Sequence, residues 1–96
     1  MRLDIYRSSD GFLLDLQADL LDDYRTRVVA PLLPAGSTPP PLNRLNPILD
    51  WDDGRWVLAT HLLAAAPVAS LGRPVGRVKG AEFDVTRALD LLFTGF

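Results

Sequence analysis

"RLDIYRSSDGFLLDLQ", Arg2–Gln17, sets two short apolar alternations on either side of a cluster of turn formers. Leu3 and Ile5 alternate with Arg2, Asp4 and Tyr6; Phe12, Leu14 and Leu16 alternate with Leu13, Asp15 and Gln17. A period of two is the signature of a strand with one buried face, because successive side chains of an extended chain point to opposite sides. With Ser8–Gly11 as the loop, the stretch predicts an antiparallel β-hairpin that buries the Leu3, Ile5, Phe12, Leu14 and Leu16 side.

Downstream, "RVVAPLL" (Arg27–Leu33) has strand character. Pro31 has no N–H to give to a ladder, which predicts an edge or a bulge at that point. Pro34–Asn46 holds four prolines and reads as a connecting loop, partly extended as polyproline II. It lacks the patterned basic flanks that would mark a ligand of SH3 domains. "PILDWDDGRWVLAT" (Pro47–Thr60) is a second hairpin turning at Asp52, Asp53 and Gly54, since Asp-Gly favours turns that need positive φ. Trp51 and Trp56 either pair across that turn or lie on opposite faces, and both read as packing residues. From Thr60 to Val78 the chain is broken by Pro67 and Pro74, and the β-branched pieces around Val68, Val75 and Val78 predict short strands.

The last segment changes period. Val85, Ala88, Leu89, Leu92 and Phe93 fall on one face of a helix over "EFDVTRALDLLFTGF", Glu82–Phe96. Glu82 and Asp84 suit its positive N-terminal end, and Gly95 is placed to stop it. Phe96 then lies beyond the helix. A chain finishing on two aromatic rings and a glycine, where most termini are polar, either tucks its tail into the core or offers it to a partner. Strands joined by hairpins plus one terminal helix give a mainly β or α+β class, with an antiparallel sheet curling toward a small barrel.

Composition narrows the functional classes. Ninety-six residues, 48% hydrophobic, predict one folded domain over residues 1–96. The core of so small a chain is marginal, and with no cysteine for a disulfide or a thiolate metal site, burial against a second copy is the expected supplement. The net charge is −2, and each half carries five basic and six acidic residues, which argues against nonspecific nucleic-acid binding. Asp4 interrupts any signal-peptide core and no run suits a membrane span, so a cytoplasmic protein without membrane contact is expected. No cofactor or metal is expected. Asp50, Asp52 and Asp53 are too compact for a calcium loop and read as a solvated turn. His61, the one histidine, has no partner nucleophile in the sequence and reads as a partly buried structural residue.

In order and spacing, "IYR", "LDLQADLLD", "RVVAPLLP", "LNPILDWDDGRWVLATHLLAAAPVASLG" and the terminal helix resemble the CcdB-type toxins of bacterial type II toxin–antitoxin pairs, over essentially the whole chain. The resemblance implies a small SH3-like (CcdB/Kid-type) antiparallel barrel with one C-terminal α-helix, and a homodimer. It implies a protein without a catalytic site of its own that poisons the A subunit of DNA gyrase. It also implies a cognate CcdA-like antitoxin that neutralises the toxin and carries it to operator DNA as a co-repressor. In the family the last three residues, a tryptophan, a glycine and an isoleucine, carry gyrase poisoning. Here those positions are Thr94, Gly95 and Phe96, so with Phe93 they are the candidate gyrase-binding residues, and the tryptophan is replaced. Arg7, Ser8, Asp10, Leu20 and Asp90 are the candidate antitoxin-binding residues by the same resemblance, on a first hairpin whose loop is shorter than is usual for the family. One alternative is a CcdB-like protein with a lost or changed gyrase target, acting as an antitoxin-binding co-repressor. Another is an endoribonuclease on the same barrel, which would need Arg25, Arg27 and Arg55 to converge with His61 or Asp50; no spacing argues for that.

Overall fold

A computed structural model describes residues 1–9, 11–36 and 44–95. The first hairpin forms as its alternation requires: β1 (Asp4–Ser8) and β2 (Gly11–Asp15) pair antiparallel with Ile5 opposite Leu14 and Arg7 opposite Phe12. β2 then pairs with β3 (Thr26–Pro34), Leu14 facing Ala30, across a 3-10 turn at Asp19–Leu21. The second hairpin is β4 (Ile48–Trp51) with β5 (Gly54–Leu58), and after another 3-10 turn, Thr60–Leu62, come β6 (Ala64–Pro67), α1 (Val68–Leu71), β7 (Gly76–Arg77) and α2 (Glu82–Thr94). Among the described residues seven strands run in the order β4-β5-β3-β2-β1-β7, with β6 also on β3. All pairings are antiparallel. The curled antiparallel sheet with its C-terminal helix is the small barrel-like α+β fold expected.

Pro31 is neither on an edge strand nor in a bulge. β3 is central, and on the side away from β2 it pairs first with β6 (Thr26–Val29) and then with β5 (Leu32–Pro34). Pro31 sits between the two partners, its carbonyl accepting from the Ala59 N–H at 2.9 Å; the Ala59 carbonyl that would take the missing proline N–H accepts from the Leu62 N–H of the 3-10 turn at 2.9 Å instead. The second turn also differs in detail. Its loop is Asp52–Asp53, both left-handed (φ 51° and 58°), while Gly54 already pairs with Trp51 in the strand. Aspartate tolerates this region better than most residues, which is why the type I′ hairpin forms without glycine at either central position. Val68 opens α1 rather than a strand; Val75 and Val78 flank β7 and hydrogen-bond to the Ile5 and Leu3 carbonyls. The proline-rich loop lies largely at residues 37–43, outside the described residues.

Both faces of the sheet are covered, where the alternation predicted one. On the inner face Leu3, Ile5, Leu14, Leu16, Ala30, Leu32, Leu49 and Leu58 pack with Val78, Ala81 and Val85 beneath α2. On the other, Tyr6, Val29 and Leu71 form a second cluster, so Tyr6 is buried and α1 acts as its lid. The open ends of the sheet meet through side chains. The Trp51 indole of β4 lies so close to β7 that a Cβ on Gly76 would be 2.5 Å from its ring nitrogen. Phe12 packs edge-on against both Trp51 (4.8 Å) and Trp56 (5.3 Å), and the Trp56 N–H donates to the Trp51 carbonyl at 3.0 Å. The two tryptophans therefore share one face, across the turn.

Gly76→Ala should destabilise the fold by about 1–3 kcal/mol, the usual cost of overpacking. In a Trp51→Ala background the same substitution should cost far less, and chemical denaturation of the four proteins in this cycle measures the coupling.

Candidate partner-binding site

α2 carries the candidate site because its sequence gives it one buried side and a defined end. Val85 and Ala88 are fully buried, while Leu89 and Leu92 are half-covered. Phe93 does not join that face: it is 69% exposed, and Phe83 on the outer surface is 71% exposed. The helix stops as predicted. Gly95 adopts φ 81° and its N–H reaches the Leu91 carbonyl at 3.0 Å, closing the last turn in the left-handed form that glycine takes without a Cβ penalty. Thr94 folds back, its hydroxyl donating to the Asp90 carbonyl at 2.6 Å. What this end presents is thus an exposed phenyl ring and a glycine backbone, with the threonine side chain turned onto its own helix. Phe96 lies outside the described residues.

The other candidates do not form one patch. Arg7 and Ser8 are at the β1–β2 turn, with the Arg7 guanidinium 5.1 Å from the Phe12 ring centre. Leu20, 91% exposed, is in the 3-10 turn whose Asp19 carboxylate accepts from the Arg2 N–H at 2.7 Å. Arg2 lies in the turn that precedes β1 and Arg7 near that strand's far end, so Leu20 lies on the order of 10 Å or more from the hairpin turn. Asp90 is on the exposed side of α2. Asp10 is outside the described residues.

The residues named for an endoribonuclease are also dispersed. Arg27 is buried: its Nε donates to Asp15 Oδ2 at 2.9 Å and its Nη2 to Asp15 Oδ1 at 3.0 Å, and its Nη1 binds Asp22. Arg55 is on β5, next to the Trp56 that pairs with Pro34 of β3. Seven strand residues separate Pro34 from Arg27, a span of about 23 Å. Asp50 pairs in register with Arg55, while His61 is exposed rather than partly buried, its Nδ1 3.3 Å from the Asn46 amide nitrogen.

The buried Asp15–Arg27 pair was missed by the strand alternation, which placed Asp15 on a solvent side. An aspartate with leucines on both sides inside a short strand is the available sequence signal. Asp15 is fully buried, also accepts from the Gln17 N–H at 2.9 Å, and faces the Met1 amine at 3.6 Å. The pair raises the Arg27 pKa above its ordinary value, chiefly through the Asp15 hydrogen bonds. Burial, with the Asp15 and Asp4 carboxylates nearby, raises the Tyr6 phenol above its usual 10.0.

With these positions in place, the sequence can be set against known proteins. The CcdB protein family model matches residues 3–95. The chain belongs to the CcdB family. Its match therefore takes in the first hairpin, the curled sheet and α2 through Gly95, the elements on which every described candidate residue stands. Among the described residues no CcdB element is a helix long and apolar enough to cross a membrane.

Asp15→Asn should cost this CcdB-family protein about 3–5 kcal/mol in urea unfolding, because it leaves Arg27 buried without its counter-charge. A raised Tyr6 pKa means that folding favours the neutral phenol: its contribution is intact below pH 10 and is lost as the pH climbs above the unfolded value. Tyr6→Phe should accordingly flatten the alkaline fall in melting temperature while leaving the neutral-pH shape of the curve unchanged.

Proposed function

We propose that this chain is the toxin component of a type II toxin–antitoxin module: a homodimer neutralised by a CcdA-like antitoxin and directed at the A subunit of DNA gyrase through Phe93, Thr94, Gly95 and Phe96. The observation that carries the reading is the family match over residues 3–95, which extends to the end of α2. The geometry supports it, since the end of α2 is capped at Gly95 and shows an exposed aromatic ring that the core does not use. In a two-fold dimer each tip would have its mate as a self-complementary neighbour. Arg7, Ser8, Asp10, Leu20 and Asp90 are then proposed as antitoxin contacts, spread widely enough to suit an elongated segment that wraps the toxin. Poisoning of this kind is binding rather than chemistry, and it needs no general base or nucleophile from the chain.

A specific observation favours a second reading. Where the family has tryptophan, Thr94 offers little apolar surface and spends its hydroxyl on Asp90. A desolvated tryptophan stacked on a cation is worth about 2 kcal/mol or more, and a dimer would lose two of them. A chain with a changed target, retained as an antitoxin-bound co-repressor, accounts for that loss.

A gyrase supercoiling and cleavage assay distinguishes the two. The native protein should inhibit supercoiling and accumulate cleaved DNA, and Thr94→Trp should lower the concentration required by tenfold or more, in line with the cation–π term. Activity only in the Thr94→Trp protein would move the assignment to the co-repressor reading. Inactivity of both would remove gyrase as the target.

A further inference from the structure

The residues that join the sheet to α2 have a charge pattern unlike the rest of the chain. Leu71–Ala81 contains Arg73, Arg77 and Lys79, three of the ten basic residues, and no acid. All three are exposed. Arg77 reaches Asp4 at 2.9 Å, and among the described residues no ion pair engages Arg73 or Lys79. The backbone between them is an edge. Among the described residues β7 pairs only with β1, Asp4 opposite Arg77 and Ile5 opposite Gly76. The Val78 N–H donates to the Leu3 carbonyl at 3.0 Å, and since bonding direction alternates along a strand, the N–H and C=O of Arg77 point away from β1. Trp51 covers the inner side of Gly76, yet β4 forms no ladder with β7.

We propose that the outer edge of β7, flanked by Arg73, Arg77 and Lys79, binds an extended acidic peptide as an added strand. Such a chain would exchange backbone hydrogen bonds with Arg77 and set alternate carboxylates, about 6.6 Å apart, against the neighbouring cations. A DNA strand would meet the charges and could accept from the Arg77 N–H through a phosphate oxygen, but its backbone has no donor for the outward Arg77 C=O, so the paired donor and acceptor of the edge favour a peptide. The site is separate from the end of α2: the fifteen residues from Gly80 to Thr94 span about 20 Å of mostly helical chain, and the two surfaces can be engaged together. The inference holds whichever target the α2 tip has.

The test is fluorescence anisotropy at low salt with the full chain and a fluorescein-labelled ten-residue peptide alternating glutamate and valine. Saturable binding is expected, with no comparable binding of the lysine–valine counterpart. The double variant Arg73→Glu, Lys79→Glu should weaken binding roughly tenfold, two exposed ion pairs of ordinary strength. Arg77→Pro, which deletes the outward N–H, should weaken it more than Arg77→Ala. In the native protein, peptide should slow hydrogen exchange at the Arg77 amide, a readout that does not depend on the proline variant folding. The proposal is overturned by absence of saturable binding, by an oligothymidylate of equal length binding as tightly, or by an Arg77 amide that stays unprotected at saturation.

Discussion

The buried bidentate pairing of Arg27 with Asp15 is the constraint around which the rest of the sheet is arranged. Both side chains are on the face opposite the main core, one on β2 and one on β3, and their two hydrogen bonds are formed only in the observed register. A shift of one residue would carry Asp15 into the leucine-lined interior and leave the guanidinium unpaired. The pair thus specifies more than it stabilises, which is the better-attested use of buried charge. From that register follow the pairing of β1 with β2, the position of Tyr6 and Val29, and the seat on which Leu71 closes the second cluster.

Much of this was legible in the residues and part of it was not, for physical reasons. The period of two in Leu3–Tyr6 and Phe12–Gln17 and the helical spacing of Val85, Ala88, Leu89 and Leu92 are local signals, and they gave the hairpin and α2. Their failures fall where a long-range contact decides. Tyr6 and Asp15 are buried because α1 and the chain start return to cover them, which no alternation within one strand can announce. Pro31 is tolerated in a central strand because β3 changes partner there. Val68 enters a helix because Pro67 ends β6 and turns the chain, overriding the β preference of valine. Phe93 has the spacing of a core residue, so periodicity counted it in, yet it is exposed in the last turn of α2.

The candidate site shows the same division. The stop at Gly95 could be read from glycine alone, and the structure adds how Thr94 bonds back to Asp90 and so withdraws its hydroxyl from the surface. Membership of the CcdB family explains why the end of α2 merits scrutiny. This chain's own threonine gives that end its surface: a hydroxyl bonded back to the helix beside an exposed phenyl ring. Arg7, Leu20 and Asp90 are dispersed over the hairpin turn, the 3-10 turn and the helix.

The seam between β4 and β7 is held by the Trp51 ring over Gly76 and has no ladder of backbone bonds. A seam of that kind has a thermodynamic character different from the meander of β1, β2 and β3. Separating it would break apolar contacts without unpairing a strand, and local opening of that kind costs less than global unfolding. The two halves of the sheet are in this sense a hinge and a clasp: backbone hydrogen bonds hold the β1–β2–β3 meander, and an indole ring holds the seam.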